Sequence, residues 1–401
     1  MVNFATALQQ YGWEPTVITP EVNDGWMDSE RLSQIDGVEV VRTGSMSRQK
    51  RTLVQKVAGR LVPLDPHFPW AFKALKAASK LEPSRFDLVF TSGPPHSVHY
   101  AGLRLSRKFN LKWVADFRDP YTLAPEYRAF SPLNFLSDRY FEKQIYRHAD
   151  FVVTNTRTNR REVLQKFDAV DPGKLVTINN GFDERELVDG GLESPWTGEK
   201  LKPLNYVYLG GLRGYGIDRY FFEGLREALA SQPQVADEFA IRIVGDVRHQ
   251  SDIVRELVDQ GIVTLHAPVD SGTIGSVLAR SDAGLIWHRN DMRYHGQIPQ
   301  KFFEYFGSRT PIFYVGPKNN EVGKVCRRFD VGVVAEPVSV NEVADGFLNF
   351  HRRIQNQELD YSKCPERLFS QFSRPEHAKK LACVFERALG ATGRTTRPAD
   401  D

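Results

Sequence analysis

Residues 205–230 read NYVYLGGLRGYGIDRYFFEGLREALA, and this one stretch carries the decision about the fold. An apolar, aromatic run stops at paired glycines, a glycine-rich loop follows, and a helix is expected from Phe221 to Ala230. Strand, tight loop and helix in that order form the unit from which parallel sheets are wound. The same habit recurs on either side. PTVITP, VEVVRT, DLVFTSG, KWVADF, DFVVTNT and KLVTINNG read as strands in the first half. FAIRIVGD, IVTLHA, AGLIWH, PIFYVG and VGVVAE follow in the second, with helical stretches such as 99–109 and 133–148 between strands. Such alternation implies an α/β protein with two Rossmann-like, doubly wound parallel sheets.

A chain of 401 residues with 41% hydrophobic and 26% charged residues is long enough for two globular domains. The polar seam DERELVDGGLESPWTGEKLKP divides them. The expected organisation is a first domain over 1–183, a linker over 184–203, a second domain over 204–388 and a disordered tail over 389–401. The first residues read as a helix followed by a short strand, so the opening strand usual in such a domain is missing. A formal charge of +3 argues against a nucleic-acid partner. Cys326, Cys364 and Cys383 lie far apart, which fits a reducing cytoplasm and no zinc site. No apolar run reaches the roughly 18–20 residues of a membrane span. Residues 42–60 carry Arg42, Arg48, Lys50, Arg51, Lys56 and Arg60 without an acid, with Leu53, Val54, Val57 and Leu61 interleaved. That composition suits an anionic membrane surface.

Ligands of open α/β sheets sit beyond the carboxyl ends of the strands, so the residues just after each strand are the candidates. These include Ser92-Gly93-Pro94-Pro95-His96, Arg118-Asp119-Pro120, Asn180-Gly181-Phe182-Asp183, Gly210-Gly211-Leu212-Arg213 and Gly245-Asp246. The glycines at 210, 211, 214 and 216 fit neither a dinucleotide fingerprint nor a P-loop. A glycine loop with one arginine, ahead of a helix, still suits a phosphate: backbone N–H groups meet the anion and Arg213 adds charge-assisted bonds. In IPQKFFEYFGSRTP (298–311), Pro299 suits the first helical position, and Phe302, Phe303 and Phe306 point to the core. Lys301 and Glu304, three apart, share one face. No Asp-x-Asp occurs to hold a metal-bound diphosphate, and no glycosidase-like carboxylate pair stands out.

IPQKFFEYFGSRTPIFYVG resembles the P-x-K-x-x-E-Y-x-x-x-x-x-P-I signature of GT-B glycosyltransferases of the group 1, family 4 class. SGPPHS, WVADFRDP, INNGFDERE, LGGLRGYGIDRYFFEGLREAL and FDVGVVAEP match further segments of that pattern in the same order, over about residues 4–385. The resemblance implies two domains facing a central cleft and a retaining, metal-independent transfer of sugar. The donor is a nucleotide-sugar and the acceptor a sugar or lipid-linked hydroxyl, in polysaccharide or glycolipid assembly. No cofactor is implied. Glu304 would bind the ribose, Arg213 and Lys301 the diphosphate and its developing charge, with Gly211 and Gly245 allowing close approach. His96, Arg118 and Asp119 would serve the acceptor side, Asp119 also in catalysis. The location implied is cytoplasmic, at the inner face of the plasma membrane. Some positions depart from the pattern: Gly296 where many relatives have glutamate, Tyr215-Gly216 after Arg213, and Arg118-Asp119 in place of a histidine. Two other readings therefore stand beside the transferase: a nucleotide-sugar epimerase of the same architecture, and a catalytically degenerate subunit with a binding role.

Overall fold

The structure, a computed structural model, describes residues 2–21, 37–44, 65, 67–168, 170–188, 202–212 and 218–390. Up to Asn179 the elements are α1 (Val2–Gln9), β1 (Thr16–Pro20), β2 (Glu39–Thr43), α2 (Phe68–Ala78), β3 (Leu88–Gly93), α3 (Val98–Phe109), β4 (Lys112–Phe117), α4 (Pro132–His148), β5 (Phe151–Thr154), α5 (Arg157–Lys166) and β6 (Leu175–Thr177). Then come α6 (Glu184–Leu187), β7 (Leu204–Leu209), α7 (Arg219–Ser231), β8 (Phe239–Val244), α8 (Asp252–Asp259), β9 (Val263–His266), α9 (Ile274–Ala279) and β10 (Ala283–Trp287). The last are α10 (Gln300–Gly307), β11 (Ile312–Val315), α11 (Glu321–Phe329), β12 (Gly332–Ala335), α12 (Val340–Gln355), α13 (Glu366–Phe372) and α14 (Arg374–Ala388). The chain forms two compact units, Met1–Asn179 with Arg374–Asp401, and Asn180–Ser373.

In the first unit β3, β4, β5 and β6 lie side by side in chain order, all parallel, while β1 and β2 form a separate parallel pair. Strand alternation sends Trp113, Ala115, Phe117 and Val152 to one face, where Leu103 of α3, Phe141, Ile145 and Tyr146 of α4 and Val163 of α5 cover them. Val114 and Val153 face the other way, against Leu8 of α1 and Leu381, Ala382, Val384 and Phe385 of α14. The sequence reading puts 374–388 with the second domain. The structure gives α14 to the first unit, because the second face of that sheet is apolar and α14 supplies its cover.

The second unit has one parallel sheet in the order β9-β8-β7-β10-β11-β12. Numbered within the unit this is 3-2-1-4-5-6, the Rossmann order, and the winding reverses between β7 and β10. Tyr206, Tyr208, Ile243, Leu285, Trp287 and Phe313 pack under α7, α8 and α12. Val207, Ile286, Ile312 and Tyr314 on the opposite face pack under α9, α10, α11 and α13. Helices on both faces explain why these strands are largely apolar, with buried Arg242 of β8 bonded to Asn205 of β7.

Candidate functional site

The crevice where the winding reverses is the place to look for a ligand in such a sheet. β7 pairs with β10 through Ala283↔Tyr206 and Gly284↔Val207 only, and beyond that the two strands part. The Tyr305 hydroxyl of α10 bridges the opening: it accepts from the Leu209 N–H (2.9 Å) and donates to the Val207 carbonyl (3.1 Å). Its ring can reach because Gly284 has no side chain; a Cβ there would stand 2.4 Å from the Tyr305 ring. Phe302, Phe303 and Phe306 are fully buried, as the sequence pattern predicts. α10 is thus held at the crevice by its core face and by Tyr305, and Lys301 and Glu304 lie on its half-buried side. Pro299 stands one position earlier than expected. It is the N-cap, with extended backbone (φ −65°, ψ 145°), and Gln300 is the first helical residue.

Lys301 Nζ lies 4.3 Å from the centroid of the Tyr208 ring and 3.3 Å from its hydroxyl. That ring is stacked on Trp287, with 3.5 Å between centroids. The cation is therefore fixed over an aromatic platform formed by the two strands that diverge. Gly210, with φ +154°, brings its Cα against this lysine; a Cβ would meet Nζ at 3.1 Å. Gly245 is held still more tightly, since a Cβ would stand 2.5 Å from the Gly210 carbonyl carbon, and one on Gly211 would stand 2.8 Å from the Asp246 carbonyl oxygen. Two strand ends are thus brought into backbone contact beside Lys301, and glycine is required at each position. His288, just after β10, is half-buried, and desolvation together with the Lys301 ammonium pushes its pKa down to about 4. Neutral at pH 7, it adds no charge of its own beside Lys301. Arg213 lies outside the described residues, as do Gly214 and Gly216.

His96, Arg118 and Asp119 lie in the first unit, at the carboxyl ends of β3 and β4. The Arg118 N–H donates to the Gly93 carbonyl (3.1 Å), joining the two loops. His96 is buried, stacked on Phe117 at 5.5 Å, and burial lowers its pKa to about 4. Asp119 is exposed next to Arg118. These three are brought together; Gly211, Gly245, Lys301 and Glu304 belong to the other unit and form a group of their own.

The sequence reading passes over several carboxylates here. Asp116, at the end of β4, is buried and accepts from Ser92 Oγ at 2.6 Å, its register partner on β3. Desolvation raises it to about 6, against the Ser92 bond and Arg118, which lower it. Behind the loop 118–130 stand Asp138 and Glu142 of α4, both buried. Asp138 accepts from the Tyr121 and Tyr127 hydroxyls at 2.9 and 2.6 Å. Glu142 accepts from the Thr122 N–H, the Thr122 hydroxyl and the Tyr146 hydroxyl. The loop that carries Arg118 and Asp119 is therefore tied to two inward-facing carboxylates. Among the described residues no group of His, Cys, Asp and Glu is arranged to hold a metal.

Residues 1–181 match the family model of the glycosyl transferase 4-like domain. The whole chain superposes on a glycosyltransferase from Rickettsia africae (TM-score 0.63, 15% identity, 97% of this chain and 93% of that one). It also superposes on sucrose-phosphate synthase from Thermosynechococcus elongatus (0.65, 16%, 97% and 92%) and on an Anabaena protein solved with UDP and glucose (0.64, 16%, 96% and 94%). The chain has the GT-B fold. The chain shares its fold, at a lower TM-score of 0.56, with UDP-GlcNAc 2-epimerase from Methanocaldococcus jannaschii. No curated protein matches the chain in sequence.

Proposed function

We propose that the chain is a glycosyltransferase that moves a sugar, with retention and without a metal, from a nucleotide-sugar to an acceptor hydroxyl in polysaccharide or glycolipid assembly. The observation that carries this is Lys301, held over Tyr208 and against Gly210 where the winding reverses, with Glu304 on the same face of α10. A diphosphate there would meet the Lys301 ammonium and the Gly211 N–H, since those of Gly210 and Leu212 are donated to Val244 and Asp246. Departure of the nucleotide concentrates negative charge on the diphosphate, so a fixed cation at that point lowers the barrier. Arg213, close in sequence, would add to it. Glu304 would accept from ribose hydroxyls. His96, Arg118 and Asp119 would orient the acceptor, and Asp119 would take part in its activation.

Calorimetry with a panel of nucleoside diphosphates tests the reading. One diphosphate is expected to bind, and Lys301→Ala and Glu304→Ala are each expected to weaken it by about tenfold or more, near 1.4 kcal/mol. Unchanged affinity in both variants removes α10 from the donor site. Incubation with nucleotide-sugar alone separates the readings, since an epimerase converts it without any acceptor. We also read the chain as working at the inner, anionic face of a membrane. Of the basic residues in 42–60 the structure describes only Arg42, exposed on β2. No helix among the described residues is long and apolar enough to cross a membrane.

A further inference from the structure

Among the described residues five buried side-chain nitrogens bond to no protein atom, and three of them gather beside Gly93 at the carboxyl end of β3: His96 Nδ1, His99 Nε2 and Arg118 Nε. Native interiors leave few such groups without a partner, so a cluster of them points to a ligand. The Thr91 hydroxyl accepts from Trp113 Nε1 at 2.9 Å, and its own proton turns to His99 Nδ1, also 2.9 Å away. The His99 proton therefore sits on Nε2, which is a donor. The His96 ring donates to the Pro120 carbonyl, which leaves its Nδ1 an acceptor. A Cβ on Gly93 would stand 3.0 Å from His99 Nε2 and 3.1 Å from His96 Nδ1, so one atom beside that glycine can lie at bonding distance from both. Phe117 stacks on both rings, at 4.5 and 5.5 Å, and burial keeps both neutral at pH 7. The turn that carries them is fixed, because the Ser97 N–H and hydroxyl donate to the Asp65 carboxylate at 2.8 and 3.0 Å.

We propose that His96 and His99 together bind one hydroxyl of the acceptor sugar, which donates to His96 Nδ1 and accepts from His99 Nε2. A metal ion or an ammonium would meet the N–H of His99, and a phosphate or carboxylate would meet the lone pair of His96. A hydroxyl oxygen satisfies both. Arg118 Nε donates to a neighbouring oxygen of the same sugar. His96 is 7% exposed and His99 fully enclosed, so the hydroxyl alone enters and the sugar ring stays outside. Gly93 sets the size, since any side chain there would occupy the place of the hydroxyl. The inference rests on the acceptor-side reading of His96 and Arg118 above and narrows it: His99 joins the site, and the group recognised is uncharged. An acceptor lacking that hydroxyl leaves two buried nitrogens unpaired, which is how such a site rejects a deoxy sugar.

The full chain, with histidine isotopically labelled at its ring nitrogens, is titrated with a panel of methyl hexopyranosides and the monodeoxy analogues of each, and the rings are followed by NMR. One glycoside is expected to shift His96 Nδ1 and His99 Nε2 together, and removal of one of its hydroxyls to weaken binding about tenfold or more. Gly93→Ala is expected to abolish the response of both rings to that glycoside, with melting temperature and nucleoside diphosphate affinity close to wild type. If Gly93→Ala does not fold, the deoxy series on the wild-type chain decides alone. Equal affinity for every deoxy analogue overturns the proposal, as does a glycoside that binds while neither ring responds, or a panel of which no member binds. So does His99 with its proton on Nδ1. A water that stays between the two rings at saturating glycoside overturns it too, because the pair then holds solvent and not the acceptor. Nucleoside diphosphate binding in the same samples tests the donor reading separately: its absence leaves the hydroxyl site standing.

Discussion

Tyr305 is the residue through which the fold makes the crevice. At most points in a sheet a backbone N–H finds its partner on the next strand, but Leu209 has lost that neighbour where β7 and β10 part. The phenol supplies the missing bonds and orients α10 in the same act, so stability and site geometry depend on one oxygen. Tyr305→Phe keeps the ring and removes the oxygen, leaving the Leu209 N–H and the buried Val207 carbonyl without it. Chemical denaturation is expected to register a loss of about 1–3 kcal/mol. Nucleotide affinity should fall as well, because Lys301 and Glu304 flank the tyrosine on the same helix. A stability loss with nucleotide affinity intact would mean that α10 keeps its position without the bridge.

At the scale of elements, α4 shows what patterning conveys and what it conceals. The strands and α10 were legible because their apolar residues follow period 2 or one helical face, and because glycine marks the strand ends. The same rule misreads α4, since carboxylates on a helix are taken as its solvated side and leucines as its core. The reversal becomes visible only when Tyr121, Thr122 and Tyr127 are seen to donate to those carboxylates from a loop 11–20 residues away. Asp116 was hidden for a related reason: its partner Ser92 is fixed by strand register, which no local spacing encodes. Glu142 gives the arrangement a pH dependence. Burial raises it from 4.5 to about 7, so the native state holds its proton more tightly than the unfolded chain. The stability from that proton is fully present below about 4.5 and is lost as pH rises through about 7. Glu142→Gln cannot ionise, and its stability from pH 5 to 8 is expected to fall less than that of wild type, by about 1–3 kcal/mol across the range. Parallel stability–pH curves for the two proteins would remove Glu142 as the source.

At the scale of the molecule, the second unit is inserted into the first, because α14 returns to cover Val114 and Val153. Helix 374–388 reads as one more amphipathic segment following the second sheet, and nothing local says which apolar face it will meet. Phe385 meets Trp13, just after α1, at 5.1 Å and Phe90 at 5.4 Å, and shares a core with Leu8, so α14 also ties the α1 segment to the sheet. Truncation before Arg374 is expected to raise hydrogen exchange in β4 and β5 strongly while β7 and β8 keep their protection. Equal loosening of both sheets would mean that the units do not unfold separately.

A ribosome reads this arrangement in one direction only. The first sheet leaves the exit tunnel before the second yet is finished after it, for the part of its second face that α1 does not cover stays bare until α14 emerges. A copy that stalls or is cut before Arg374 displays what α14 would cover, and so differs from one that carries α14 by a surface any hydrophobic-binding chaperone can sense.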